Sequence, residues 1–257
     1  MELFVTVILY AAASVWQGIL LFNKRVNKQF WTLFAGFSAI VLHAHLLYGW
    51  VGLPQQQNLS LFNLASLIAG LVALLILCLS LVKPVANLVI FIFPMAIITL
   101  LAAQYFSTPW ISHVLEPHQW WHILLATLAF GVMGVAALQA LLLGLQERLL
   151  HRRQATGMVQ VLPPVETMET MLFQLIVLGF ILLSILVVTS LWMFPHIFAP
   201  YVWQKVGVSL VAWFTFAILL WGRCSFGWRG VKAVRWTLAG VGWIMIVYFG
   251  SEIFLQL

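Results

Sequence analysis

Aspartate is missing from the 257 residues altogether, the acids are six glutamates, and charged residues of all kinds make up 7% of the chain. A soluble domain carries about 25% charged residues, so this composition cannot build an ordinary water-facing surface. Cysteine is scarce too. Cys78 lies in an apolar run, Cys224 lies in a basic stretch, and there is no CxxC. Neither a disulfide framework nor a thiol redox motif is supported. The first apolar run follows Met1 and Glu2 with no basic segment ahead of it, and no small-residue cleavage pattern precedes the next run. Met1 to Phe22 therefore reads as a retained helix.

What the chain has instead is hydrophobic length: 64% apolar residues and a mean hydropathy of +1.08. A membrane span needs about 20 consecutive apolar residues. The pattern reads as an all-α integral membrane protein, a polytopic bundle of about eight transmembrane helices. It forms one continuous domain over 1–257, with no room for a folded soluble domain. The expected spans run about Met1 to Phe22, Phe30 to Leu53, Leu61 to Val82, Asn87 to Phe106, Gln119 to Gly144, Met168 to Met193, Val206 to Trp221 and Trp236 to Phe254.

The net charge of +6 is not a nucleic-acid signature, because the basic residues are spread over short links between spans. With eight spans, alternate links share a side. Lys24, Arg25, Lys28, Lys83, Arg148, Arg152, Arg153, Arg223, Arg229, Lys232 and Arg235 fall on one side, leaving Lys205 alone on the other. A bias of this kind marks the cytoplasmic side, so both termini are expected in the periplasm. Small residues such as Gly131, Gly134, Ala136 and Ala137 allow close helix packing. No internal repeat of the kind found in many secondary transporters is visible.

The same topology sorts the histidines. His113, His118, His122 and His196 fall in outward links or at their edges, His43 and His45 near mid-membrane, and His151 in a cytoplasmic basic cluster. Glu116 is the only acid in an outer link between spans. Imidazole without carboxylate suits haem iron or another borderline metal better than magnesium or calcium. His122 follows Trp120 and Trp121 at the start of a span, a depth at which ionisable groups usually face a partner, cavity or ligand.

Plainer readings stand beside each candidate. A histidine inside a helix can bond a neighbouring carbonyl, loop histidines are often merely solvated, and tryptophans form interface belts. His43 and His45 are about 200° apart around a helix, so they cannot both face one site. His118 and His122 share a face if their helix starts early enough. By helical rise, His43 is about 15 Å deep and His122 about 5 Å deep. Two axial ligands of one iron place their nitrogens about 4 Å apart. Untilted helices do not bring this pair together; tilt, shifted boundaries and two separate sites all stay open.

Several ordered segments carry a family likeness: NLSLFNLASLIAGLV from Asn58, HQWWHILLATLA from His118, METMLFQLIVLGFILLSI from Met168, VGVSLVAWFTFAILLWG from Val206, GWRG from Gly227 and YFGS from Tyr248. Together they resemble the cytochrome c assembly protein family of haem-handling membrane proteins, and most of all its HemX-like and YpjD-like inner-membrane branch. The resemblance implies an eight-helix fold in a bacterial inner membrane and a non-covalent, b-type haem. Residue by residue, His122 looks like the family histidine that follows the outer loop, and His43 like the membrane-helix histidine. His118 and His196 are further candidate ligands, with Trp120, Trp121 and Trp203 lining an outward cleft.

The chain also departs from the family. Where synthase-type members carry a tryptophan-rich WGxxWxWD motif, it has FPHIFAPYVWQK, with Trp203 alone and Gln204 where a second histidine would be expected. The resemblance thus implies haem binding, as a chaperone, exporter component or assembly factor, without catalysis. The expected partners are lipid, haem and proteins of cytochrome c maturation or the tetrapyrrole pathway, with no nucleic acid. The alternative is a haem-free regulator or scaffold acting through the basic segments ERLLHRR and RCSFGWRGVKAVR. A solute or cation transporter fits less well, because the membrane interior holds few acids.

Overall fold

The computed structural model describes residues 1–23, 29–53, 56–58, 60–82, 85–106, 111–112, 117–152, 162–193 and 200–255; side chains are left aside at 52–57, 111–112, 117, 200–205 and 247–255. Among the described residues the architecture is all-α, with eight α-helices: α1 Glu2–Phe22, α2 Phe30–Val51, α3 Leu61–Ser80, α4 Val89–Phe106, α5 Pro117–His151, α6 Val165–Met193, α7 Pro200–Phe226 and α8 Gly230–Leu255. Seven of them, α1 to α7, are long and apolar enough to cross a membrane. Three short strands, β1 Gly52–Leu53, β2 Gln56–Asn58 and β3 Ile111–Ser112, pair antiparallel in the order β1-β2-β3, with Gly52 opposite Gln57 and Asn58 opposite Ile111.

The chain forms two compact units, Met1–Trp120 and Trp121–Leu257. In the first, α1 packs on α2 and α4, and α3 packs on α2 and α4. A 3-10 turn, Ala86–Leu88, leads into α4. Ser60 starts α3 by accepting from the Asn63 N–H at 3.4 Å, which satisfies one of the orphan donors of a helix N-terminus.

The core face of α1 is unusual for a membrane helix. Thr6, Tyr10, Ser14 and Gln17, spaced four, four and three apart, are all buried. Each finds a hydrogen-bond partner: Thr6 donates to the Glu2 carbonyl at 2.9 Å and Ser14 to the Ile90 carbonyl at 3.4 Å, while Gln17 Oε1 accepts from Thr32 Oγ1 at 2.9 Å. In hydrocarbon an unsatisfied polar group costs several kcal/mol, so such a stripe is stable only when it faces inward and is paired.

In the second unit α7 packs against α6 and α8. Met133 of α5 lies against Gly179 of α6, and Val234 of α8 against Gly144 of α5. Gln139 Nε2 donates to the Met168 carbonyl at 3.2 Å, and Trp213 Nε1 to Ser184 Oγ at 2.8 Å.

The helices run past the expected spans. At about 1.5 Å per residue, the 35 residues of α5 are about 52 Å long, well beyond the ~30 Å hydrocarbon core. Pro117 opens α5 and Pro200 opens α7, at the first helical position, where a missing N–H costs nothing. The segment expected as an outer loop through Lys205 is thus helical from Pro200. The basic link before the last span shrinks to a turn over 227–229.

Candidate functional site at the start of the fifth helix

His118 and His122 both lie in α5, which starts early enough to place them one turn apart on one face. His118 and Trp121 are exposed, the latter at 73%, while Trp120 and His122 are half-buried. His122 Nδ1 lies 3.3 Å from Thr189 Oγ1 on α6. The Thr189 hydroxyl donates its one proton to the Leu186 carbonyl at 3.0 Å. The same hydroxyl thus links the imidazole to the α6 backbone. Such a carbonyl–hydroxyl–imidazole contact restrains the rotation of the ring.

His43 lies in the first unit and is 1% exposed. Nδ1 is 3.1 Å from the Tyr10 hydroxyl and Nε2 is 2.9 Å from Ser66 Oγ. The Tyr10 ring meets the imidazole edge-on at a centroid distance of 5.9 Å, and Gly70 leaves room for it, since a Cβ there would come within 3.3 Å of Cε1. Both ring nitrogens are engaged, so in this conformation His43 offers no lone pair to a metal. His45 points away, exposed, with Nδ1 3.3 Å from Glu2 Oε2, as the angular offset within the helix requires. His151 is exposed at the far end of α5.

His113 and His196 lie outside the described residues, as does the side chain of Trp203. Among the described residues no three His, Cys, Asp or Glu side chains group as metal ligands. His122 and, one turn earlier, His118 could supply the one or two imidazoles that a haem iron takes.

Sequence reasoning missed Tyr10, Ser66, Thr189 and Glu169. For Tyr10 a signal existed, the polar recurrence Thr6, Tyr10, Ser14, Gln17 along one face of α1. For Ser66 and Thr189 none did, because only packing selects a partner among many hydroxyls.

Residues 31–257 match the Cytochrome C assembly protein family, and the chain belongs to it. The "Inner membrane protein YpjD" of Escherichia coli K12 is 31% identical over 224 residues, covering 85% of this chain and 84% of the relative. The proteins of the same name from Escherichia coli O157:H7 and O6:H1 match equally. No solved structure matches the chain. With its apolar helices, this makes it a multi-pass inner-membrane protein.

Proposed function

We propose that this protein binds a non-covalent, b-type haem at the His122 end of its second unit and holds it for transfer or assembly, with His122 as the iron ligand from this chain. The observation that carries the reading is the hydrogen bond between His122 Nδ1 and Thr189, which ties a half-buried imidazole at the start of a span to α6. When bound, the haem supplies the iron centre; the chain's own residues orient and shelter it. Thr189 holds the ring, Trp121 beside it is the neighbouring apolar side chain, and His118 stands one turn earlier on the same helix. His196 and Trp203 belong to the same outward end by sequence. His43 would have to give up Tyr10 or Ser66 to take part, and in this reading it serves the first unit's polar core. The function is binding, with no catalytic group.

The absorption spectrum of the detergent-purified protein, oxidised and reduced, tests this. A Soret band with sharp reduced α and β bands is expected, lost in an equally folded His122→Ala. Thr189→Val keeps the shape but removes the hydroxyl that meets His122, and should weaken haem affinity about 10- to 100-fold. A flat spectrum that persists after haem is added would overturn the proposal and favour the haem-free regulator.

A further inference from the structure

The turn between α7 and α8 is framed by backbone and side-chain hydrogen bonds, and it ends beside two cations that meet no carboxylate among the described residues. Gly227, at φ 64°, closes α7 with its N–H donating to the Arg223 carbonyl at 3.2 Å; the Trp228 N–H then reaches the Gly222 carbonyl at 3.2 Å. The Trp228 ring sits so close over Gly222 that a Cβ there would come within 2.4 Å of it. Arg223 Nη1 donates to the Trp228 carbonyl at 3.2 Å, with its guanidinium 4.5 Å over the Phe173 ring. On the far side Glu169 of α6, 4% exposed, accepts from Arg229 Nε at 2.9 Å and from the Gly230 N–H at 2.7 Å.

This frame displays a chain of aromatic rings, Trp221, Phe226, Trp228 and Trp236, with successive centroids 6.4, 6.4 and 5.5 Å apart. Trp221 is 66% exposed and Phe226 71%. Exposed aromatics at the ends of spans belong at the headgroup level of a bilayer. Lys232 lies beside them with Nζ 3.8 Å from the Trp228 ring centroid, and Arg235, three residues on, shares its helix face and is exposed. Among the described residues the ion pairs are His45–Glu2 and Arg229–Glu169, so neither Lys232 nor Arg235 meets a carboxylate.

We propose that Lys232 and Arg235, backed by Trp228 and Trp236, form a headgroup site for an anionic phospholipid. The phosphodiester lies against the two cations, and the acyl chains run along the exposed Trp221 and Ile218 of α7. Two cations at the headgroup level, unpaired with any carboxylate among the described residues, attract the anionic headgroups of a bilayer, and the adjoining exposed apolar side chains fit acyl chains.

The test uses the full-length, delipidated protein in detergent, offered equal amounts of phosphatidylglycerol and phosphatidylcholine with the same acyl chains, with bound lipid counted by native mass spectrometry. Wild type should prefer phosphatidylglycerol, and the preference should shrink as salt rises. Each cation near such a surface is worth about fivefold in affinity, so Lys232→Gln with Arg235→Gln should lower phosphatidylglycerol binding about 25-fold and leave phosphatidylcholine unchanged. Equal binding of both lipids by wild type, or undiminished phosphatidylglycerol binding by the double variant, would overturn the proposal. If the double variant does not fold, the wild-type salt titration decides: a preference indifferent to salt also overturns it.

Discussion

At the residue scale, two histidines of one chain are put to different uses by their hydroxyl neighbours. Thr189 ties His122 to α6 at the edge of a span, and Tyr10 and Ser66 meet the two nitrogens of His43 in the interior. Tyr10→Phe keeps the ring and its packing on Phe93, at 5.0 Å between centroids, but removes the oxygen that meets His43 Nδ1. We expect a loss of about 1 to 2 kcal/mol in unfolding free energy, since buried hydrogen bonds inside membranes are individually modest. His43→Ala strips both hydroxyls of their partner and opens a cavity, so its loss should be larger. Denaturant titration measures both, and the haem spectrum of folded Tyr10→Phe should match wild type if His43 serves packing alone. That His43 was polar and deep was legible in the sequence. Which atoms would meet its nitrogens was not, because the partners come from α1 and α3, 33 and 23 residues away.

At the scale of the element, the ends of helices moved while their centres stayed where hydrophobic length put them. Apolar length defines only the stretch that must lie in hydrocarbon; beyond it a helix continues until a residue stops it. Gly227 and Gly230, with φ of 64° and 55°, are the stops that set the α7–α8 turn. The turn is held to α6 by Glu169, whose hydrogen bond first and charge second push the Arg229 pKa above its usual range, so Arg229 stays charged at any pH the protein meets. The two partners are not equivalent. Arg229→Ala leaves a buried carboxylate with the Gly230 N–H alone, whereas Glu169→Ala leaves a largely exposed guanidinium free to meet water. Arg229→Ala should therefore depress the melting temperature in detergent more than Glu169→Ala, a difference that a solvated surface pair would not show.

At the scale of the whole molecule, the positions of Lys and Arg predict an orientation. Both termini should face the periplasm, so alkaline phosphatase fused after Leu257 should be active and a fluorescent protein fused there dark; the reverse result would move the basic links to the outer side. By itself the sequence determined that the chain lives in a membrane, that it is all-helical, where each span is centred, and to which family it belongs. Those properties follow from summed hydrophobicity, from the spacing of charged links and from ordered segments, all additive along the chain. The tertiary structure alone decided that a face of α1 is polar and paired, that His43 meets Tyr10 and Ser66 while His122 meets Thr189, and that Glu169 closes the α7–α8 turn. Each of these depends on a short-range hydrogen bond between residues distant in sequence, and many hydroxyls and carbonyls could serve equally well until packing brings one of them within reach.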